Sequence, residues 1–372
     1  MLFPPSPREL LIALNAAPRI SRPAVCRLAQ ELSRWSEAPE PPGLLAAAVG
    51  IPKAQMEKAL AVRETAAAVT AREEAEAGRL GARIVLQEDP AWPAGLAHLS
   101  LPPPVLYVAG EIPEGPALSI VGSRRSDAYG TEVAETFARA LAASGVTVVS
   151  GFARGIDAAA HRGALAADGG RTVAVLGCGL GVDYPLGHAK LAKEIAARGA
   201  LVSEFPCGMA PRAWHFPVRN RVIAALSAGI LVVQATPRSG SLITARHSLE
   251  LGREVYAVPG RIFDERSLGP HALLRDGARL VQHPQDILDD LLPRRPGSPP
   301  PGPLFAEPAP ALPDPPEGLP REILAVLPPG SFQVPEDLAV RVDAPVDQVL
   351  GALLELELGG WVKRMPGSVY GR

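Results

Sequence analysis

Four apolar segments of strand length each end in a turn rich in glycine and small polar residues, and a helical pattern follows the turn. The segments are residues 118–121, 146–150, 171–176 and 230–235. Strands that alternate with helices of about 10–15 residues imply βαβ units, a parallel sheet with helices on both faces, and a binding crevice at the carboxyl ends of the strands. We therefore predict an α/β fold in which the four turns meet along one edge of a doubly wound sheet.

These turns carry the groups that bind phosphate. A strand that feeds directly into a helix leaves backbone N–H groups unpaired at the helix start, and the helix dipole favours an anion there. Arginine guanidinium groups beside such a turn can clamp the oxygens of that anion. The candidate phosphate-binding residues on the turns are Gly122, Ser123, Arg124, Arg125, Gly151, Arg154, Gly155, Gly179, Ser239, Gly240 and Ser241.

The turn after residues 171–176 has only part of a dinucleotide-binding fingerprint. Gly177 and Gly179 are present, but Val182 and Asp183 occupy the neighbourhood in which the third glycine belongs. No acidic residue follows a clean strand about 20 positions further on. We therefore expect no nicotinamide or flavin cofactor.

Six motifs, in chain order, resemble those of the DNA processing protein A family, also called DprA or Smf. They occupy residues 121–125 (VGSRR), 150–157 (SGFARGID), 174–180 (AVLGCGL), 203–206 (SEFP), 216–221 (FPVRNR) and 239–245 (SGSLITA). The match runs over roughly residues 80 to 282 and depends on no single short pattern. The resemblance implies an extended Rossmann-like domain that binds single-stranded DNA and forms a homodimer. It further implies that the protein protects incoming DNA and loads RecA onto it in natural transformation and recombination, with single-strand-binding protein as a further partner.

The DNA-binding residues of that family can be carried over where the motifs match. Arg124 falls on the arginine after Val-Gly-Ser, the best-attested DNA-binding position of the family. Arg219 and Arg221 of the 216–221 motif join the predicted DNA-binding set. Many relatives place a lysine directly after the Tyr-Pro pair, where this chain has Leu186. Two alternatives follow: one phosphate contact is missing from this part of the pocket, or His188 or Lys190 substitutes for it.

The sequence patterns at the two ends of the chain predict domains separate from the core. We expect an N-terminal helical domain of the SAM-like type at residues 1–80, the DNA-binding core at 81–290, a proline-rich linker at 291–318, and a winged-helix domain at 319–372. From Leu319 onward, five cationic residues stand against seven acidic ones. A helix that reads the major groove needs cationic or amide side chains, so this balance favours protein contact or regulation over DNA readout and disfavours a sequence-specific repressor.

The whole chain is slightly acidic, with a formal net charge of −2. Any affinity for nucleic acid must therefore come from local clustering of cations. Residues 203–282 contain ten arginines and no lysine against six acidic residues. The three cysteines have no metal-ligand spacing, so we expect neither a metal site nor a disulfide framework. With no apolar run of membrane-spanning length and no signal peptide, we expect a cytoplasmic protein that does not contact membranes.

The alternative is a nucleotide-processing enzyme, because lysine-decarboxylase-like phosphoribohydrolases also combine a Rossmann-like fold with glycine-rich turns. Those enzymes place a Gly-Gly-x-Gly-Thr turn and a catalytic glutamate over a phosphoribose. Here residues 239–244 lack the glycine pair, and Glu250 lies too far along its helix. Asp157, Glu204 and His161 remain as acid–base candidates. We expect Asp157 instead to cap its helix, with His161 bonded to it, and predict that the chain is not an enzyme.

Overall fold

The computed structural model describes residues 5–36, 40–292, 316–328, 331–365 and 369–371. The chain divides into two compact units, Met1–Pro299 and Pro300–Arg372. The proline-rich linker predicted at 291–318 lies largely outside the described residues. Within the described residues, no helix combines the length and the apolar character needed to cross a membrane.

Five helices open the first unit: α1 (Pro7–Ala16), α2 (Arg22–Gln30), α3 (Leu32–Ser36), α4 (Pro42–Val49) and α5 (Lys53–Arg79). Helix α1 begins at Pro7 because the Ser6 hydroxyl accepts a hydrogen bond from the backbone N–H of Glu9, while the Glu9 carboxylate accepts one from the Ser6 N–H. The buried Trp35 donates its indole N–H to the carbonyl of Leu28 at 2.7 Å. These helices therefore pack around an apolar core of their own.

A nine-stranded sheet forms the centre of the first unit. Its strands are β1 (Ala82–Leu86), β2 (Val105–Gly110), β3 (Ala117–Val121), β4 (Thr147–Ser150), β5 (Thr172–Val175), β6 (Ala200–Ser203), β7 (Gly229–Val232), β8 (Glu254–Ala257) and β9 (Arg279–Leu280). They lie in the order β1-β2-β6-β5-β4-β3-β7-β8-β9. All pairs from β6 to β9 are parallel, whereas β2 pairs antiparallel with both β1 and β6.

The strand order reverses between β3 and β7. From β3 the chain adds β4, β5 and β6 on one side, and it then returns to place β7 on the other side of β3. In open α/β sheets, the crevice outside the carboxyl ends of the strands at such a reversal is where ligands bind. Gly122 follows β3 and Gln234 lies just beyond β7 at this point, so the fold itself creates a cleft there.

Helices cover both faces of the sheet. They are α6 (Ala128–Ala143), α7 (Ile156–Ala166), α8 (Ala189–Arg198), α9 (His215–Ala225), α10 (Gly240–Glu250), α11 (Leu268–Arg275) and α12 (Pro284–Leu291). Leu118 and Ile120 of β3 pack into one apolar cluster with Phe137 of α6, and Val121 packs into another with Val222 of α9. Alternate side chains of a strand point to opposite faces, and β3 is apolar on both except for Ser119, whose buried hydroxyl donates to the carbonyl of Ile223 at 3.1 Å.

The predicted doubly wound fold is confirmed, with two differences in detail. The predicted sheet is parallel, but the structure adds the antiparallel strands β1 and β2 at one edge. The helix predicted from Thr131 begins at Ala128, because the carboxylate of Asp127 accepts the backbone N–H of Gly130 at 2.8 Å and caps the helix there. Neither difference changes which turns reach the cleft.

The second unit is a winged helix, as predicted. It contains α13 (Leu319–Val326), β10 (Phe332–Gln333), α14 (Pro335–Val342), α15 (Val346–Leu358), β11 (Lys363–Met365) and β12 (Val369–Gly371). The three strands form an antiparallel sheet in the order β10-β12-β11. Leu338, Leu353 and Leu356 are buried in a core that the helices share with Tyr370 of the wing.

Candidate nucleic-acid interface

A cleft of about 1990 Å³ opens at the carboxyl ends of β3 and β7. A smaller cavity of about 440 Å³ shares with it the side chains of Arg124, Tyr184 and Phe216. The turns after β3 and β7 line the cleft, the turn after β5 lines the smaller cavity, and the turn after β4 contributes to both. The structure therefore brings the four predicted turns together around one continuous depression.

The turn after β3 is held by close backbone contacts. The N–H of Ser123 donates to the carbonyl of Gln234 at 2.7 Å, which joins this turn to the one after β7. A Cβ on Gly122 would lie 2.7 Å from Ile156 Cγ1, so only glycine allows this approach. Gly155 has a φ of +75° and would place a Cβ 2.3 Å from the carbonyl oxygen of Ser123. Gly122 and Gly155 thus position Ser123 and Arg124 at the cleft.

Arg124 is exposed and lies over an aromatic ring. Its guanidinium carbon is 4.8 Å from the centre of the Phe216 ring, within the range of a cation–π interaction. Phe216 lies in the first turn of α9 and is half-buried. The contact holds the guanidinium group at the junction of the two cavities without using a carboxylate. An anion at this position would therefore meet a cation whose charge is still available.

Arg219 is buried, and its Nε and Nη1 donate hydrogen bonds within the fold. It donates to the carbonyl of Gly151 at 2.7 Å, to the carbonyl of Val175, and to the side-chain oxygen of Asn220 at 3.2 Å. Burial lowers the pKa of Arg219 to about 10, although nearby Asp157 acts in the opposite direction. Arg219 reaches the floor of the cleft, but its hydrogen bonds fasten the turn after β4 to the end of β5.

The turn after β7 presents hydroxyl groups at the start of α10. The Ser239 hydroxyl oxygen accepts the N–H of Ser241 at 3.3 Å and lies 2.6 Å from the Ser241 hydroxyl. Asn220 donates to the carbonyl of Gly240 at 3.1 Å and ties this turn to α9. Ser239, Gly240 and Ser241 all line the cleft, so the dipole of α10 contributes positive potential there.

Five predicted DNA-binding residues line neither cavity, and one of them is Gly155, which closely approaches the carbonyl of Ser123. Gly179 donates its backbone N–H to Met209 at 2.9 Å inside a loop. His188 is half-buried, with its ring edge-on to Phe152 at 5.4 Å. Lys190 is 91% exposed and lies 3.8 Å from Glu194. Arg221 pairs with Glu204.

The Arg221–Glu204 pair lies between α9 and the N-terminal helices. The guanidinium nitrogen is 2.6 Å from the carboxylate oxygen, and the two side chains are 14% and 2% exposed. The backbone carbonyl of Glu204 accepts from Asn15 at 3.2 Å and from Arg22 at 3.4 Å. This cluster attaches the N-terminal helices to the sheet, and Arg221 contributes to that attachment through its ion pair with Glu204. The predicted contact between Arg221 and DNA stays a prediction.

The acid–base candidates do not form a common site. Thr172 donates its hydroxyl proton to the Val148 carbonyl at 2.7 Å, so its oxygen accepts from His161 Nδ1 at 2.7 Å. The expected bond between His161 and Asp157 is therefore replaced by one to Thr172. Burial lowers the pKa of His161 to about 3 and keeps the ring neutral. Burial raises the pKa of Asp157. Asp157 lies in the first turn of α7, as expected, but its carboxylate accepts from the N–H of Ala153, two residues before the N-cap Gly155, at 3.2 Å, so it holds the preceding turn instead of capping the helix.

Cations outnumber free acids around the depression. Asp127 and Asp264 both pair with Arg266, at 3.0 and 2.9 Å. Six other arginines on these walls have no ion pair with any described residue: Arg124, Arg125, Arg154, Arg212, Arg261 and the buried Arg219. Asp157 and Glu265 are the other acidic residues among those that line the cleft. The net potential of the depression is therefore positive, although the chain as a whole is not.

Several residues on these walls are not among the predicted site residues. Arg212, Phe216, Arg261 and Phe263 line the cleft, and Leu186, 70% exposed, lines the smaller cavity. The arginine excess in residues 203–282 was the available signal for Arg212 and Arg261, and Phe216 belongs to a motif already noted. Among the described residues, no group of three or more His, Cys, Asp or Glu side chains is placed to hold a metal ion.

The winged-helix unit offers a different surface. Helix α15 exposes Val346, Leu350, Leu354 and Leu358, which recur every four residues. Acidic side chains accompany them: Asp347, Glu355 and Glu357. A recognition helix in a DNA groove presents cationic or amide groups. The predicted protein contact of this unit stays a prediction.

Two parts of the chain match known protein families. Residues 83–292 match DNA recombination-mediator protein A, and residues 307–368 match the DprA winged helix domain. The chain is 45% identical to Protein Smf of Escherichia coli over 279 residues, which cover 72% of this chain and 71% of that protein. It is 40% identical to DNA processing protein DprA of Bacillus subtilis over 203 residues, which cover 54% of this chain and 68% of that protein.

Solved structures show the same relationship. DNA processing protein A from Streptococcus pneumoniae is 31% identical with a TM-score of 0.65, over 76% of this chain and 98% of that one. A structure that describes the single-stranded DNA binding mode of DNA processing protein A from Helicobacter pylori is 31% identical with a TM-score of 0.51, over 56% of this chain and 96% of that one. Fold and sequence therefore point to the same family.

Proposed function

Because this chain belongs to the DNA recombination-mediator protein A family, we propose that it binds single-stranded DNA in the cleft at the carboxyl ends of β3 and β7. The observation that carries the proposal is Arg124, an exposed guanidinium group held over Phe216 at the junction of the cleft and the smaller cavity. The Helicobacter pylori relative, which binds single-stranded DNA, supports the same ligand here.

The chemistry of the cleft favours a single strand over a duplex. Unpaired guanidinium groups and the N-terminus of α10 attract phosphates. Tyr129, Tyr184 and Phe216 add aromatic rings to the same walls. Bases stack on such rings when their faces are free, as in a single strand, whereas a duplex keeps its base faces inside. A single strand offers phosphates to the cationic groups and accessible bases to the aromatic rings.

The later steps that we propose come from family membership. The bound strand is protected and passed to a RecA-type recombinase during natural transformation, and single-strand-binding protein is displaced in the process. The protein acts as a homodimer whose interface lies around α10, where Ile243 and Leu249 are 38% and 56% exposed. Two clefts in one dimer would hold a strand with an avidity that neither has alone. Light scattering that showed a monomer at micromolar concentration would contradict the dimer.

We further propose that the protein acts without turnover. An enzyme of the phosphoribohydrolase type needs an acid and a base beside the bound phosphoribose. Of the three candidates, only Asp157 lines the cleft. Its carboxylate accepts the N–H of Ala153 and interacts electrostatically with the nearby guanidinium group of Arg219. His161 and Glu204 are buried against other partners. Each carboxylate and the imidazole therefore has a structural role that accounts for its position.

A binding experiment tests the central proposal. The protein is titrated against labelled oligo-dT and against a duplex of equal length, with wild type and Arg124→Ala. We expect preference for oligo-dT and a loss of that binding in the variant. Equal affinity for the duplex would contradict the proposal.

A second experiment separates handover from catalysis. RecA filament formation is followed on DNA coated with single-strand-binding protein, with and without this protein, and nucleotide hydrolysis is assayed in parallel. Faster filament formation is expected. No acceleration, together with a hydrolysis activity that Glu204→Gln abolishes, would favour the enzymatic alternative.

A further inference from the structure

A tight turn at the edge of the cleft displays two apolar side chains. The N–H of Asp264 donates to the carbonyl of Arg261 at 3.1 Å, which closes a four-residue turn with Ile262 and Phe263 at its centre. These side chains are 71% and 95% exposed, and among the described residues no large apolar side chain is more exposed than Phe263. Turn centres usually hold Gly, Asn, Asp, Pro or Ser. The turn geometry therefore does not account for a phenylalanine there.

The base of this turn is firmly anchored. The Asp264 carboxylate accepts from the backbone N–H and the guanidinium group of Arg266, each at 2.9 Å. The same guanidinium lies 3.0 Å from Asp127, the residue that caps α6. The backbone carbonyl of Arg266 accepts from the N–H of Ala235, just after β7, at 2.7 Å. The turn is thus fixed to both sides of the strand-order reversal, and little conformational entropy remains to be lost when a ligand meets it.

Phe263 lines the same cleft as Arg124, and Arg261 of its own turn lines it as well. Arg261 forms no ion pair with the described residues. The turn therefore presents an unpaired guanidinium group and an exposed aromatic ring to the same cleft. At Phe216, by contrast, the Arg124 guanidinium already lies over the ring. A ligand that carries both negative charge and flat apolar faces fits this pairing, as a nucleic acid strand does.

We propose that Phe263 is a further base-stacking residue of the cleft, on a different structural element from Tyr129, Tyr184 and Phe216. The proposal rests on the proposed binding of single-stranded DNA and adds to it a contact made with a base instead of a phosphate. Because every base has an aromatic face, such a contact is tolerant of sequence. Arg261 holds the phosphate beside the stacked base.

Paired oligonucleotides isolate the stacking contact. Affinities are measured for oligo-dT and for an abasic oligonucleotide of equal length, which keeps the phosphates and lacks the bases. Phe263→Ala is expected to weaken oligo-dT binding about 5- to 150-fold and to leave abasic binding unchanged. Phe263→Trp is expected to retain oligo-dT binding. Ile262→Ala is the matched control, because its side chain is exposed on the same turn but does not line the cleft.

Each other outcome has a distinct meaning. If Phe263→Ala binds oligo-dT like wild type while Arg124→Ala does not, the stacking proposal is wrong and the proposed function stands. If Phe263→Ala weakens abasic and oligo-dT binding equally, the ring supports the turn instead of a base, which also overturns the proposal. If wild type binds oligo-dT no better than a duplex, the proposed function itself fails. Thermal unfolding of the three turn variants is measured in parallel, and midpoints equal to that of wild type would show that the substitutions leave the fold intact.

Discussion

The guanidinium carbon of Arg124 lies 4.8 Å from the centre of the Phe216 ring. The contact joins the turn after β3 to the start of α9, two segments that are far apart in the chain. A cation–π interaction at an exposed site contributes about 0.5–1 kcal/mol, which is enough to bias a long side chain toward one orientation. The cation is therefore already in place when a phosphate arrives, and less entropy is lost on binding.

Replacing Arg124 with alanine should weaken binding of oligo-dT by about 1–3 kcal/mol, because a charge-assisted contact to phosphate is lost. The slope of log affinity against log salt concentration should also become less steep by about 0.7, the value for one phosphate contact on a single strand. Fluorescence anisotropy over a salt series measures both. Arg139→Ala is the control, because Arg139 is exposed but lies outside both cavities of the depression. Unchanged affinity in Arg124→Ala would remove this residue from the site.

Arg124 and Phe216 should be energetically coupled in DNA binding. Phe216→Leu removes the ring that orients the guanidinium, so part of the Arg124 contribution should already be missing in that variant. A double-mutant cycle with Arg124→Ala and Phe216→Leu is expected to give a coupling energy of about 0.5–1 kcal/mol. Strict additivity of the two losses would show that the ring and the cation act independently.

Arg221→Ala should destabilise the protein without changing the intrinsic affinity for DNA. Removing one member of a buried ion pair leaves Glu204 without a charge partner and costs about 3–5 kcal/mol in the free energy of unfolding. Arg162→Ala is the matched control, since Arg162 pairs with Glu135 at 3.1 Å on the surface and should cost less than about 1 kcal/mol. Urea unfolding measures the first effect, and oligo-dT titration at a temperature where the variant is folded measures the second. A large loss of affinity with little loss of stability would place Arg221 at the DNA instead.

His161 should make stability depend on pH in the acid range. Its pKa is about 3 in the folded protein and about 6.5 when unfolded. Between these values the unfolded chain binds a proton that the folded one does not, so the free energy of unfolding falls as pH decreases from 6.5 toward 3. The fall due to this group is at most about 1.4 kcal/mol per pH unit. His161→Asn keeps a donor for Thr172 and should reduce the slope of unfolding free energy against pH, whereas parallel curves would contradict the assignment.

A chain that ends at Leu292 should bind oligo-dT like the full chain in moderate salt. The predicted winged-helix region carries seven acidic residues against five cationic ones, so it should repel phosphate weakly if it acts at all. At low salt, removing it should therefore leave affinity unchanged or slightly higher. A loss of more than about tenfold, or 1.4 kcal/mol, would show that the second unit contributes to DNA binding despite its charge.

The arginines of residues 216–221 illustrate where sequence reasoning stops. Arg219 and Arg221 are two positions apart on α9, and on a helix such neighbours point to different sides. Arg219 turns toward the carbonyls of Gly151 and Val175, while Arg221 turns toward Glu204. The motif marks both as candidates for DNA binding. Only packing against the rest of the chain shows that both guanidinium groups are already hydrogen-bonded within the fold.

The sequence by itself determined the α/β fold, the winged helix and the edge at which the four turns meet, because strand and helix periodicity and glycine turns are local properties. It did not determine that Phe216 would lie under Arg124, or that an anchored turn would display Phe263 at the cleft. Those relationships depend on contacts between segments far apart in the chain. Tertiary structure therefore decided which cations are paired, which remain available to a ligand, and which aromatic rings accompany them.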